Sequence, residues 1–340
     1  MNDPDSLEGI PAPEVRQESL GHEEARDAVA AQLQAGRLPG AIMLHGPQGI
    51  GKATLAFELA ALILTTTGDE ATGRVQEQVA ALSHPNLAVL RRRPKDSKSF
   101  YSAIRVEDVR ELRESLHRTR GRVGHRIAII DSIDDCNGPS ANALLKTLEE
   151  PPSDTTFFLV SHRPGGLLPT IKSRCHVLAL RPISIRQVAE VITVTTPNVS
   201  PALLERAGDL AKGRPRRAFE MLALGEESPV GVLIEWLKHP GMHPIAAEIA
   251  LADQLGKDPQ SADMSFAREL LSDWIAAEMR QAALEQGGRA RLASATDLWD
   301  KVHALFEEAD SVNLDMKQTL IVIFDSIRAH CALSAVPEPL

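Results

Sequence analysis

Short apolar runs alternate with amphipathic segments through the first half of the chain. This alternation is typical of a parallel β-sheet covered by helices on both faces. Between the runs, apolar residues at helical spacing predict helices, as with Leu144 and Leu148 in the segment that stops at Pro151. The polar stretch 65–75 predicts a loop. The predicted strands lie at residues 41–44, 127–131, 155–160 and 176–180.

The organisation changes after Pro182, where strand-like runs largely vanish and helical spacing takes over. The pattern therefore predicts an α/β domain followed by a small helical unit and then an acidic, all-helical domain. Residues before the α/β domain contain three prolines and few apolar anchors, which favours a disordered leader. The predicted boundaries are 1–17 for the leader, 18–181 for the α/β domain, 182–225 for the small helical unit and 226–340 for the last domain.

Composition narrows the classes of function. The 340 residues carry a net charge of −9, which argues against a free-standing nucleic-acid binder. Cys136, Cys175 and Cys331 are far apart, so neither a disulfide framework nor a cysteine zinc site is indicated, and no metal site is expected. The acidic N-terminus lacks the apolar core of a signal peptide, and no run approaches the length of a membrane span. We therefore expect a cytoplasmic protein without membrane partners.

A glycine-rich turn follows the first predicted strand and leads directly into a helix. Gly46, Gly51 and Lys52 fill the first seven positions of the phosphate-loop pattern G-x-x-x-x-G-K-[ST]. Such a loop points backbone N–H groups at phosphates, and the lysine reaches the outer ones. The eighth position, whose hydroxyl normally holds Mg²⁺, is Ala53, and the next hydroxyl is one residue late. The candidate phosphate-binding residues are Gly46, Gly49, Gly51, Lys52, Ala53 and Thr54.

A second nucleotide motif is indicated where residues 127–131 end in Asp131. An acid at this place orders Mg²⁺ through water, and the glutamate that usually follows activates the attacking water. Here that glutamate is replaced by Ser132, which cannot act as a general base, and Asp134 lies two residues further on. The loop is therefore expected to hold ATP or ADP without hydrolysis, if it binds nucleotide, with Mg²⁺ only alongside a bound nucleotide.

Two other charged features remain open. Residues 91–126 contain twelve Lys or Arg against five acids, which suits either a phosphate-binding surface or an ordinary solvated face. Glu149 and Glu150 close the helix before Pro151, where the helix dipole disfavours acids. This placement suggests either a partner-facing role or simple solvation.

These features together resemble the clamp-loader branch of the AAA+ superfamily. The sequence words that carry the resemblance are HGPQGIGKATLA, IRVEDVRELRESL, IAIIDSIDDCNGPSANALLKTLEEPP and SHRPGGLLPTIKSRC, over about residues 18–225. Within that branch, the substitutions at Ala53 and Ser132 resemble the delta-prime subunits of bacterial DNA polymerase III clamp loaders. Motor subunits, and many delta-primes, carry zinc cysteines in the region that corresponds to residues 65–90. This chain has none there, so no zinc is expected.

The resemblance implies an AAA+ P-loop domain, a lid domain at 182–225 and a collar for oligomerisation at 226–340. It implies that Arg174, in the triplet Ser173-Arg174-Cys175, is donated in trans to the ATP of a neighbouring subunit. Arg216 matches the second sensor arginine, which reads a subunit's own nucleotide. The implied partners are the motor and delta-like subunits and, through the assembly, the sliding clamp and primed DNA. The implied process is ATP-dependent clamp loading within the DNA polymerase III holoenzyme.

Two other hypotheses compete with this one. Thr54 or Asp134 could rescue the chemistry and make the chain an active clamp-loader-type ATPase. Alternatively, the basic region 91–126 could make the chain a DNA-binding adaptor, although that hypothesis leaves the segments around Leu148 and Arg174 unexplained.

Overall fold

The computed structural model describes residues 6–7, 9–16, 18–96, 100–117, 122–224, 228–259, 261–285, 288–312 and 314–334. The chain forms two compact units, Met1–Ala223 and Leu224–Leu340. All five strands named below belong to the first unit, and the described part of the second unit is helical.

A five-stranded, wholly parallel sheet organises the first unit, in the order β2-β3-β4-β1-β5. In a parallel sheet the carboxyl ends of the strands share one edge, so the residues that follow β1, β3 and β4 are brought together there. The strands are β1 Ala41–His45, β2 Leu87–Leu90, β3 Arg126–Asp131, β4 Thr155–Ser161 and β5 His176–Ala179.

Helices cover both faces of this sheet because alternate strand residues point to opposite sides. Ile42 and Phe158 belong to one buried cluster, with the helices α1 to α3. Met43 and Phe157 belong to the other, with α4 to α6. Central strands buried on both faces explain the continuous apolar runs of the sequence. The helices are α1 Glu23–Gln34, α2 Lys52–Thr67, α3 Thr72–Ala80, α4 Val106–His117, α5 Gly138–Glu149 and α6 Pro169–Lys172.

Three short helices with a small apolar core of their own complete the first unit. Ser184 and Gln187 form a capping box at the start of the first of them, and the Ser200 side chain caps the second. Part of the segment predicted as a disordered leader is folded, since Leu7 and Ile10 pack against this core and Glu14 is buried. Residues 1–5, 8 and 17 of that segment lie outside the described part. The three helices are α7 Ile185–Thr195, α8 Pro201–Ala211 and α9 Pro215–Ala223.

The described part of the second unit contains five helices, which pack through aromatic and aliphatic contacts. The rings of Trp236 and Phe324 lie 4.7 Å apart. The buried Trp236 N–H donates to Glu248 Oε1 at 3.1 Å, which satisfies a polar group that would otherwise weaken the core. The helices are α10 Pro229–Lys238, α11 Ile245–Gly256, α12 Ala262–Leu284, α13 Arg289–Val312 and α14 Met316–Ser334. None of the described helices is long and apolar enough to cross a membrane.

The predicted fold class, a parallel α/β P-loop domain followed by helices, is confirmed. The expected loop at 65–75 is wrong for most of its length, because α2 continues to Thr67 and α3 begins at Thr72. Val75 and Val79 bury one face of α3, a helix too short to give a clear periodic signal. Strand β2 is not among the predicted strands, and only Leu90 of its four residues is buried.

Candidate functional site: a phosphate loop with altered chemistry and an exposed arginine

The phosphate loop lies between β1 and α2, at the carboxyl edge of the sheet. Gly46 has a φ of +154°, and a Cβ there would lie 2.3 Å from the carbonyl oxygen of Leu180. Gly49 has a φ of +82°, and a Cβ there would lie 2.8 Å from Cβ of Arg216. Only glycine fits such close approaches, so the loop conformation depends directly on the sequence pattern.

Lys52 is the charged centre of the loop, and its side chain is only 3% exposed. Its Nζ donates to the carbonyl oxygens of Gly46 and Pro47 at 2.7 and 2.6 Å. Burial lowers the pKa of Lys52 to about 7, against the opposing influence of Asp134 and Asp131. The carbonyl oxygens of its own loop therefore hold the amino group of Lys52, and a bound phosphate would have to compete with them.

The helices after β5 close over this loop. The backbone N–H of Arg216 donates to the carbonyl oxygen of Gly49 at 3.2 Å, and its Nε lies 2.8 Å from Glu220 Oε1. A cavity of about 170 Å³ remains, lined by loop residues that include Thr54, by Asp131, and by Leu7, Ile10 and Phe219. Ligand pockets are typically about 300–1,000 Å³. A nucleotide would therefore need this cavity to widen.

Asp131 ends β3 as predicted, but its carboxylate is engaged in an ion pair. Arg91, just beyond β2, places its Nε 3.1 Å from Asp131 Oδ2 and its Nη2 2.9 Å from Glu14 Oε2. The side chains of Arg91, Glu14 and Asp131 are only 10%, 7% and 13% exposed. A guanidinium thus bridges the buried Glu14 and the largely buried Asp131 next to the phosphate loop, and we call these three residues the Glu14–Arg91–Asp131 triad.

The residues that could replace the missing general base are also engaged. Asp134 accepts hydrogen bonds from Ser161 Oγ at 3.1 Å and from the backbone N–H groups of His162 and Arg163 at 2.5 and 3.2 Å. It thereby fixes the end of β4. Ser132 is buried and carries no base. Asp134 therefore has a structural role, and its hydrogen bonds do not favour it as a general base for water.

The donor set does not fit a divalent cation. Mg²⁺ prefers hard oxygen ligands in octahedral geometry. Here Ala53 supplies no hydroxyl, and the charge of Asp131 is already balanced by Arg91. Within the described ranges, no group of three or more His, Cys, Asp or Glu side chains could hold a metal ion.

Arg174 lies at the surface, after the short helix α6. Nη2 contacts Glu149 Oε1 at 2.6 Å, and Nη1 donates to the carbonyl oxygen of Thr170 at 3.0 Å. Next to it, Cys175 packs toward the core and its Sγ lies 3.2 Å from the carbonyl oxygen of Ile171. Because Cys175 points toward the core, Arg174 points toward solvent, and the Arg174 side chain is 35% exposed.

Nearby acids neutralise part of the surplus charge of residues 91–126. Arg93, for example, pairs with Asp108 at 3.0 Å. This pairing weakens the hypothesis of a free basic surface for DNA. Lys98, Arg118 and Arg120 lie outside the described residues. Further ion pairs in the described part of the stretch join Arg91 with Glu14 and Asp131, Arg92 with Asp135, Arg93 with Glu111, Arg105 with Asp108, and Arg122 with Asp69 and Glu70.

A polar cluster occupies the region where the resemblance would place zinc cysteines. Buried Glu70 lies 3.5 Å from His84 Nε2, 3.1 Å from Arg74 and 3.5 Å from Arg122. Burial lowers the pKa of His84. Ion pairs around Glu70 therefore tie α3 to its surroundings here.

A phosphate loop after β1 and an acid at the end of β3, on this sheet order, define a P-loop domain of the AAA+ type. A family model described as DNA polymerase III, delta subunit, matches residues 21–184. DNA polymerase III subunit delta' of Pseudomonas aeruginosa is 32% identical over 239 residues, which cover 69% of this chain and 69% of that protein. The chain belongs to the delta-prime family of DNA polymerase III subunits.

Other relatives and structures are more distant or match over less of their length. Subunit delta' of Escherichia coli K12 is 30% identical over 54% of this chain and 55% of that protein. Among solved structures, a DNA polymerase III gamma subunit-related protein of Thermotoga maritima has 16% identity and a TM-score of 0.44, over 89% of this chain and 99% of that one.

Sequence reasoning placed the candidate residues in two groups, and the structure shows what surrounds each. One cavity is lined by Gly49, Gly51, Lys52, Ala53, Thr54, Asp131 and Arg216, whereas Gly46 and Arg174 are not among its lining residues. The pairing of Glu149 with Arg174 was not foreseen, although the unusual acid at a helix end marked Glu149. Glu14 gave no signal, because nothing in a proline-rich leader indicates a buried acid.

Proposed function

We propose that this chain is a non-hydrolysing clamp-loader subunit that donates Arg174 to ATP bound by a neighbouring subunit. Relatives of the chain are named as the delta', tau and gamma/tau subunits of DNA polymerase III, which supports partners of this kind. Within such an assembly the chain takes part in ATP-dependent loading of a sliding clamp onto primed DNA. The helical unit Leu224–Leu340 serves as its oligomerisation domain.

The observation that carries the proposal is the exposed, anchored guanidinium of Arg174. An arginine is always charged and presents planar donors, which suits the charge that develops on a transferring phosphoryl group. In comparable systems such an arginine contributes about 10³- to 10⁵-fold in rate. Arg174 does not line the cavity at the chain's own phosphate loop, which supports a nucleotide presented by another molecule.

The chain's own phosphate loop does not hydrolyse ATP in this proposal. Ala53 and Ser132 remove the hydroxyl and the base of hydrolysis, and Asp134 is occupied by the end of β4. Any ATP or ADP held through Gly46, Gly49, Gly51, Lys52, Thr54 and Arg216 is therefore bound without turnover. The competing hypothesis of an active ATPase loses support from the same contacts.

The test compares the isolated chain with the reconstituted loader. We expect no ATPase above background from the chain alone and DNA-stimulated ATPase from the loader. In the loader, Arg174→Ala is expected to lower the rate of hydrolysis at the ATP site that this arginine faces by about 10³-fold. Co-elution of the variant with its partners controls for assembly. Robust hydrolysis by the isolated chain would favour the active ATPase instead.

A further inference from the structure

Arg174 is not a loose surface side chain, because a carboxylate and a carbonyl hold its guanidinium. Glu149 Oε1 contacts Nη2 at 2.6 Å, and the carbonyl oxygen of Thr170 accepts from Nη1 at 3.0 Å. The hydroxyl oxygen of Ser173 also lies 3.5 Å from Nη1. A guanidinium has five N–H donors, so these contacts leave donors for an incoming phosphate.

Local structure alone does not favour a glutamate at position 149. It is the last residue of α5, where the helix dipole disfavours a negative charge. A pair whose side chains are 35% and 48% exposed contributes little to stability, typically below about 1 kcal/mol. Neither helix formation nor fold stability therefore explains a glutamate at this position, and the explanation that remains is its contact with Arg174.

Both sides of the contact are anchored in the same core. Leu148, next to Glu149, and Ile171, in α6, belong to one buried cluster. The start of α5 is fixed as well, since the Asn137 side chain accepts from the N–H of Ser140 at 3.0 Å. The carboxylate is thus presented from a rigid support, which a positioning group requires.

We propose that Glu149 is a positioning residue that holds the Arg174 guanidinium in the orientation in which it meets a neighbour's ATP. This proposal rests on the proposed function of Arg174. An unrestrained arginine loses rotamer freedom when it is fixed on a phosphate, whereas a pre-oriented one loses less. Glu149 itself touches no nucleotide.

The test uses the reconstituted loader and measures kcat and KM for DNA-stimulated ATP hydrolysis. Glu149→Ala is expected to lower kcat about tenfold with little change in KM. Glu149→Gln keeps an oxygen acceptor for the Nη2 donor and is expected to recover part of the loss. Glu150→Ala is the matched control, because this neighbouring carboxylate is exposed, and we expect an unchanged rate.

A double-mutant cycle separates positioning from a general structural effect. On an Arg174→Ala background, Glu149→Ala is expected to add no further loss, whereas damage to the fold or the interface would add one. A higher rate in Glu149→Ala would mean that the acid restrains the arginine, and would overturn the proposal, as would a rate equal to that of Glu150→Ala. If Arg174→Ala alone leaves the rate unchanged, the proposed function itself fails.

Discussion

Replacing Arg91 by methionine is expected to destabilise the sheet-containing unit by about 3–5 kcal/mol. Arg91 is the shared cation of Glu14 and Asp131, and all three side chains are at most 13% exposed. Without Arg91 the buried carboxylate of Glu14 loses both guanidinium contacts, and removal of one partner of a buried ion pair typically costs about 3–5 kcal/mol. Methionine keeps most of the length and apolar volume, so lost packing against Phe57 adds little.

A matched control lies two residues away. Arg93 also pairs with acids, but its side chain is 42% exposed, and Asp108 keeps a second partner in Arg105 at 3.2 Å. Arg93→Met is therefore expected to lower the free energy of unfolding by less than about 1 kcal/mol. The two variants remove the same kind of charge and differ mainly in burial.

Calorimetry of the purified full-length chain measures the effect. A loss of 3 kcal/mol corresponds to a fall in Tm of about 6–12 °C for a unit of this size. Amide hydrogen exchange in β3 shows that the affected transition is that of the sheet, since Asp131 ends this strand. If Arg91→Met costs no more than Arg93→Met, the account of the Glu14–Arg91–Asp131 triad is wrong.

Two further predictions concern the phosphate loop. Folding lowers the pKa of Lys52 from 10.5 to about 7, so between these pH values the lysine is protonated in the unfolded chain and neutral in the folded one. The resulting loss of folding stability is complete below pH 7 and fades as the pH rises toward 10.5. Lys52→Met is therefore expected to raise the free energy of unfolding at pH 7 by up to about 5 kcal/mol, with a higher Tm, and to lose this gain by pH 10. A gain that does not change with pH would refute the titration of Lys52 as its cause. Because Ala53 and the paired Asp131 offer Mg²⁺ poor ligands, any nucleotide affinity measured by titration is expected to change less than about twofold between Mg²⁺ and EDTA, and a tenfold increase with Mg²⁺ would contradict the proposed site.

The sheet and its nucleotide edge could be predicted from the sequence because both leave local signals. Runs such as 127–131 are apolar at successive positions, since both faces of the strand are buried. The glycine pattern around Lys52 is equally local, because Gly46, Gly49 and Gly51 all have a positive φ, a conformation that favours glycine.

Contacts between distant segments left no such signal. Glu14 and Arg91 are 77 residues apart, and only the fold reveals that one neutralises the other. Charge counting over residues 91–126 suggested a basic surface for the same reason, since the acids that pair with these arginines lie partly outside the window. Glu149 is an intermediate case, because its position was locally unfavourable while its partner was not visible.

The central claim is that Arg174 acts on a neighbour's ATP while the chain's own site is inert. The most direct test is single-turnover ATP hydrolysis by loader reconstituted with Arg174→Ala, beside loader with Lys52→Ala in this chain. We predict that Arg174→Ala lowers the rate at one ATP site by about 10³-fold, and that Lys52→Ala leaves hydrolysis at every site unchanged. An unchanged rate with Arg174→Ala, or the loss of a hydrolytic phase with Lys52→Ala, would contradict the claim.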